Sequence, residues 1–359
     1  MAVPGTPVPA RGPGRSAVLG VLVFTALAAG LLLWSKWSPY AARTVELAGT
    51  RAWSGTSVVE AAGIEPGSAP SLAAGWRFTQ VYAAAVWKAL VAGLVIAAAV
   101  QTLVPRRWLL GLLQRRRRSS SALVGGLLAT PSMMCTCCTA PVASALRRSG
   151  APTAGVVAYW LGNPLLNPAV LVFLLLVAPW QWAAVRLVVG LLVVVAGSAL
   201  VARLAGGRVP ADAAEVVAAA AEDPGARGFP RALARTSLLV VPEYLVVVFA
   251  VGAFSGWLFP LGQDARSWGV LAALVAVVLG TLLVIPTAGE VPLAQGLAAA
   301  GFGSAVVGAL LVVLPAVSLP SAVMVARALR VRVVLWTLAV VAAGGLLGAL
   351  LLTLLTGRG

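Results

Sequence analysis

Apolar residues along this chain gather in long blocks separated by short polar breaks. They neither alternate with period two nor stripe one face at helical spacing. The blocks are Ala17–Trp34, Val81–Val104, Ala154–Trp180, Trp182–Leu204, Leu238–Leu258, Trp268–Ile285, Ala305–Val331 and Val333–Leu355. Each approaches or exceeds the roughly 20 residues that cross a hydrocarbon layer. Within that layer a helix is the element that satisfies its own backbone. The pattern therefore predicts an all-α polytopic membrane protein. Arg11 and Arg15 precede the first block, which stays apolar well past Ala26-Leu27-Ala28. That predicts a retained first transmembrane helix with a cytoplasmic N-terminus (residues 1–34) rather than a cleaved leader. Residues 35–80, with Glu46, Glu60 and Glu65 among Gly, Ser and Pro, read as an exported loop.

The remaining blocks repeat. Thr136–Pro164 aligned with Thr287–Pro315, at a constant offset of 151 and without a gap, gives nine identities in 29 positions. Chance in so apolar a composition would give roughly three, and the matched Thr, Pro and Gly positions carry the comparison. At the same offset the flanking blocks pair as well. The chain thus divides into an extra N-terminal helix, a first transmembrane repeat (81–204), a cytoplasmic linker (205–236) and a second repeat (237–359).

Charge supplies direction. The net charge is +16, only 10% of the 359 residues are charged, and 60% are hydrophobic. A composition so poor in charge excludes a soluble enzyme, and the excess of Arg marks cytoplasmic loops rather than a nucleic-acid surface. Basic clusters lie at Pro105–Ser120, Arg147-Arg148, Arg203–Arg235 and Arg327–Arg332. All of them fall on one side if Ser121–Leu146 enters and leaves the membrane by the same face, and this re-entrant reading makes the two halves inverted. Trp268–Ile285 is long enough to span by itself, which leaves the second hairpin open.

Four interruptions break the apolar blocks: Pro131–Pro141 (PSMMCTCCTAP), Asn163–Pro168 (NPLLNP), Pro286–Pro292 (PTAGEVP) and Leu314–Pro320 (LPAVSLP). Proline removes a donor and clashes with the preceding turn, so these helices must break or kink. Paired breaks in two halves are the usual sequence mark of a midplane solute site. The first break holds Cys135, Cys137 and Cys138, the only cysteines, and the chain has no histidine. Thiolates select soft ions and, by the same logic, thiophilic metalloids; small, buried, inert thiols are the bland alternative. A structural zinc site is poorly supported by this spacing. Candidate solute ligands are Cys135, Thr136, Cys137, Cys138, Thr139, Asn163, Asn167, Thr287, Glu290 and Ser318. Ionisable residues inside apolar segments invite a functional reading, and Glu290 and Glu243 are the candidate proton carriers. Arg186, near a block end, reads as snorkelling. Lys88 and Glu243 fall roughly 13 Å apart in depth, too far to pair.

At Cys135-Thr136-Cys137-Cys138-Thr139-Ala140-Pro141, Leu146, Arg147-Arg148-Ser149-Gly150 and Pro164-Leu165-Leu166-Asn167-Pro168, the chain resembles the bacterial predicted-permease family that includes the arsenical permease ArsP and the YraQ-like proteins. Gly289-Glu290-Val291-Pro292 is similar to that family's Glu-x-Pro segment. Cys138 departs from the pattern, which usually has Gly there. The resemblance implies a multi-pass permease of the bacterial inner membrane, and its arsenical members export trivalent organoarsenicals with cysteines implicated. The expectation is a non-enzymatic, secondary-type permease for a small thiophilic solute, without cofactor or nucleic-acid partner, surrounded by lipid and compatible with a homo-oligomer. The alternatives are a permease for another solute, such as an inorganic sulfur species, a membrane thiol oxidoreductase acting through Cys135 and Cys138, or a membrane component of a larger assembly.

Overall fold

Segments that bury their apolar side chains in lipid must close their own hydrogen bonds, and among the described residues every regular element is a helix. The computed structural model describes residues 15–54, 58–65, 67–206, 226–258, 268 and 270–357. Seven helical segments among them are long and apolar enough to cross a membrane. We label the helices α1 (Ala17–Thr50), α2 (Leu72–Thr102), α3 (Arg118–Ala129), α4 (Thr136–Arg148), α5 (Thr153–Leu165), α6 (Pro168–Val177) and α7 (Trp180–Leu204). The second half supplies α8 (Phe229–Ala253), α9 (Val270–Leu282), α10 (Glu290–Ala299), α11 (Ser304–Ala316), α12 (Leu319–Ala326) and α13 (Val331–Thr356). The linker acids Asp212, Glu215, Glu222 and Asp223 lie outside the described residues.

The expected exported loop over 35–80 needs correction, because helix occupies both of its ends. α1 continues to Thr50 through a π turn at Leu33–Trp37, where the Ser38 N–H reaches back to the Leu33 carbonyl. The widened turn lets the helix run on past Pro39, which has no N–H to give. α2 begins at Leu72, where Ser71 caps it by accepting from the Ala74 N–H. The connection is thus about Arg51 to Ser71, with a short helix at Val58–Ala61.

The two hairpins follow from length and contact. α3 and α4 have 12 and 13 residues, about 18–20 Å each at 1.5 Å per residue, too short for a core of about 30 Å. Ser121 and Gly125 lie against Gly155, whereas Gly126 and Ala129 lie against Gly162. α3 and α5 therefore run parallel, and α4 must be the return leg between them. The Arg106 guanidinium closes the same face, donating to the carbonyls of Ser149 (2.8 Å) and Arg148 (3.3 Å). In the second half the described part of α9 has 13 residues and ends at Leu282, before the break at Pro286. Gly280 meets Val313, which is the Ala129–Gly162 contact displaced by 151 positions.

That displacement recurs throughout. Thr153–Leu165 and Ser304–Ala316 lie 151 residues apart at both ends, as do the starts Pro168 and Leu319, and Trp180 and Val331. Corresponding helices of the two halves touch and run antiparallel. Gly75 and Phe78 of α2 meet Ala253 and Gly252 of α8, while Thr102 at the other end meets Gly228. Gly197 of α7 meets Val340 of α13, and Gly344 meets Val193 and Val189.

Small residues set these separations, because lipid offers no hydrophobic force between helices and close backbone approach supplies the packing. A methyl group on Gly125 would run into the Gly155 carbonyl, whereas one on Gly30 would meet nothing within 4 Å. Gly125→Ala should therefore lower the thermal stability of the detergent-solubilised protein by about 1–3 kcal/mol through overpacking. Gly30→Ala should leave it unchanged or raise it slightly, since alanine is the better helix former. Equal melting temperatures for the two variants would contradict the α3–α5 contact.

Candidate functional site

Each break frees backbone groups that only protein can satisfy at this depth, and polar side chains stitch several of them. Cys135 is the N-cap residue of α4. Asn167 caps α6 by accepting from the N–H groups of Ala169 and Val170, at 3.1 and 3.4 Å. Ser318 caps α12 in a reciprocal box with Ser321, the neutral counterpart of the Ser/Thr and Glu/Gln arrangement. Asn163 receives the Ser132 hydroxyl and donates to the Tyr159 carbonyl at 3.0 Å, which fixes the turn ahead of Cys135. Met133 and Ala288, both at hairpin tips, take left-handed φ values of 48° and 70°. Non-glycine residues rarely adopt that conformation, and such strain gathers at functional sites.

The four breaks converge. A single cavity of about 10 Å³ is lined by Cys135 and Thr136, by Pro164, by Pro286, Thr287 and Glu290, and by Leu314, Pro315 and Ser318. It has the room of about one water molecule, so no larger solute fits it in this conformation. Thr136 and Ser318 join across the halves through their hydroxyls at 3.0 Å.

Arg186 requires a correction, since it does not snorkel. It is fully buried and its Nη1 pairs with Glu290 Oε1 at 2.6 Å. The rest of the guanidinium donates to the carbonyls of Pro164 (2.7 Å) and Leu165 (3.4 Å), at the C-terminal end of α5. One cation thus satisfies the frayed end of a helix in the first half and a carboxylate in the first turn of α10 in the second. The planar fork of arginine suits this double duty where a lysine would not.

The three thiols form a cluster beside the cavity. Cys135 Sγ lies 3.1 Å from Cys137 Sγ and 2.9 Å from Cys138 Sγ, all three lie within 4.8 Å of one another, and all are free and buried. Three convergent sulfurs at this spacing could share one soft ion or thiophilic centre. The hydroxyls of Tyr82 and Tyr244 approach Cys137 Sγ at 3.5 and 3.9 Å. Tyr82 also donates to the Ile285 carbonyl at 3.3 Å, which links the cluster to the second tip.

Sequence reasoning missed Lys36. Its Nζ is buried and donates to Tyr40 Oη and Thr287 Oγ1, both at 3.1 Å. On the same helix, Trp37 Nε1 donates to the Pro131 carbonyl at 2.7 Å and Tyr40 Oη to the Met133 carbonyl at 3.4 Å. The first helix therefore braces both hairpin tips. The signal was a lysine and a proline directly after an apolar block, which reads more simply as the end of a helix.

Of the candidate ligands, Cys135, Thr136, Thr287, Glu290 and Ser318 share the cavity wall. Cys137 and Cys138 stand behind Cys135. Thr139 is spent on the carbonyls of Cys135 and Thr136, and the carbonyl oxygens of Asn163 and Asn167 hold backbone in place. Glu243 lies elsewhere, paired with Arg327 at 3.2 Å. Lys88 sits over the rings of Trp34 and Trp87, at 5.9 and 5.8 Å.

Removing one partner of a buried ion pair leaves an uncompensated charge and costs about 3–5 kcal/mol. Arg186→Gln and Glu290→Gln should each lower thermal stability by about that amount, while the double variant loses less than the sum. It should still fall short of the wild type, because the Pro164 and Leu165 carbonyls lose a charged donor. Additive losses in calorimetric unfolding would rule out the coupling.

The predicted permease family ArsP_1 matches residues 72–354, from the start of α2 almost to the end of α13. The UPF0718 protein YraQ of Escherichia coli (strain K12) is 38% identical over 330 residues, 91% of this chain and 92% of that protein. No solved structure matches the chain. With its broken helices meeting at one buried site, this multi-pass membrane protein belongs to the predicted permease family.

Proposed function

We propose that the chain is a secondary-type permease that exports a small thiophilic solute, of the trivalent arsenical kind, across the bacterial cytoplasmic membrane. One observation carries this reading: breaks from both halves line a single cavity, and three free sulfurs cluster at its edge. The antiparallel pairing of α2 with α8 and of α7 with α13 supports an inverted-topology repeat, in which one half rocks against the other around a fixed site. The face that carries Arg106, Arg148 and Arg327 is assigned to the cytoplasm, which also puts the N-terminus there.

In this scheme Cys135, Cys137 and Cys138 take the soft centre, and Thr136, Thr287 and Ser318 offer hydroxyls once the tips part. Thr139, Asn163 and Asn167 keep the backbone in register. Glu290 is held by Arg186 and supports the site, and Glu243, paired with the more exposed Arg327 on the wall of a wider cavity, is the other candidate proton carrier. The sequence contains no phosphate-binding P-loop motif, so coupling runs through such a group, through a solute gradient or through a separate ATPase subunit. A thiol oxidoreductase would need a partner protein to reach sulfurs that are buried here.

Replacing Cys135, Cys137 and Cys138 together by Ser should abolish the resistance to trivalent arsenicals that expression confers, at an unchanged protein level in the membrane. Full resistance in the triple variant would end the thiolate mechanism. Uptake or release of radiolabelled sulfur species by the same variant would then favour the second solute class. In membrane vesicles, thiol reagents should reach the cluster from one face at a time as conditions change. Thiols inert from both faces under every condition would remove the central site.

A further inference from the structure

A wider cavity, of about 330 Å³, opens between α2, α4, α8 and the end of α12. Its charged lining consists of Arg148, Arg231, Arg235, Arg327 and one carboxylate, Glu243. Glu243 is already neutralised by Arg327 at 3.2 Å. Arg148, Arg231 and Arg235 have no acidic partner within 4.0 Å among the described residues. Arg231 and Arg235 stand one turn apart on one face of α8, a spacing at which like charges destabilise a helix. Arg148 and Arg235, from different helices, repel one another as well. Three guanidinium groups without an acidic partner among the described residues thus meet at one concavity, and an anion that filled it would relieve their mutual repulsion.

A second, independent feature points the same way. Ser144, two helical turns along α4 from Cys137, lines this cavity with only 5% of its surface exposed. Its hydroxyl has no hydrogen-bond partner. A buried hydroxyl left unsatisfied is destabilising, and an acceptor placed in the cavity would remove that penalty. Arginine forks match the geometry of tetrahedral oxyanions by paired N–H donation, and the volume lies within the usual range for small-ligand sites.

We propose that this cavity is a binding site for a phosphate- or sulfate-like oxyanion, held by Arg148, Arg231 and Arg235 with Ser144 as a hydroxyl donor. It is distinct from the closed site at the four breaks. The oxyanion comes either free from solution or as the phosphate head of an anionic lipid.

The test is direct binding to the purified full-length protein in a phosphate-free neutral detergent, read by titration calorimetry with inorganic phosphate and with sulfate. Saturable binding that weakens as ionic strength rises is expected. Arg231→Gln with Arg235→Gln should weaken it by about tenfold or more, and Ser144→Ala by a smaller factor. Arg116→Gln with Arg117→Gln, in the exposed run outside the cavity, should bind as the wild type does. Arg231→Lys with Arg235→Lys keeps the charge but loses the fork, so it should weaken binding several-fold even if the glutamine variant fails to fold.

A parallel arm uses lipid nanodiscs of phosphatidylcholine with and without phosphatidylglycerol. If phosphatidylglycerol competes with inorganic phosphate, the site is a lipid-headgroup site; if it does not, the oxyanion is a free solute. Absence of saturable binding in both arms, or wild-type binding by the folded Arg231/Arg235 variants, would overturn the proposal. None of these readouts depends on transport, so they stand or fall separately from the permease reading.

Discussion

A helix broken inside a membrane exposes backbone groups that lipid cannot satisfy, and the rest of this architecture depends on how those groups find partners. Arg186 does most for the least material. Its five N–H donors are fixed in one plane, and they serve two carbonyls at the end of α5 and one carboxylate at the start of α10. The remaining breaks are closed by Asn167, Ser318, Ser321 and Asn163, each a short polar side chain that reaches the main chain near its own position.

The two halves share a frame and differ in chemistry. At the common offset, Cys135 corresponds to Pro286, Cys137 to Ala288, Cys138 to Gly289, and Glu290 to Thr139. Arg186 corresponds to Thr337, a buried residue whose hydroxyl is spent on the Val333 carbonyl. Sulfur therefore belongs to one hairpin, while the carboxylate belongs to the other. The helix boundaries thus match across the halves while the chemistry of the two hairpin tips does not.

Much of this was legible before any coordinates. Block lengths gave an all-helical protein, and the offset of 151 predicted where helices in the second half begin. What was not legible depends on partners remote in the chain. Arg186 lies seven positions into its segment, close enough to a block end to pass for a snorkelling residue, and only the docking of α10 reveals its carboxylate. Lys36 was lost because the polar stretch around Ser35 and Pro39 imitates a helix end, whereas a π turn carries the helix through it. The side-chain oxygens of Asn163 and Asn167 accept from the Ser132 hydroxyl and from the N–H groups of Ala169 and Val170, commitments that composition does not reveal.

The bonds across the closed cavity are unequal, and the inequality has a mechanical meaning. The Thr136–Ser318 hydroxyl pair joins the halves at one place and is worth about 0.5–1.5 kcal/mol net. The Arg186–Glu290 pair joins them at another, and parting its charges without new partners costs about 3–5 kcal/mol. Movement of one half against the other therefore costs least when the hydroxyl contact is the seam and the ion pair is the pivot. In the permease cycle proposed above, a solute that entered at the hydroxyl seam would leave the expensive charges together.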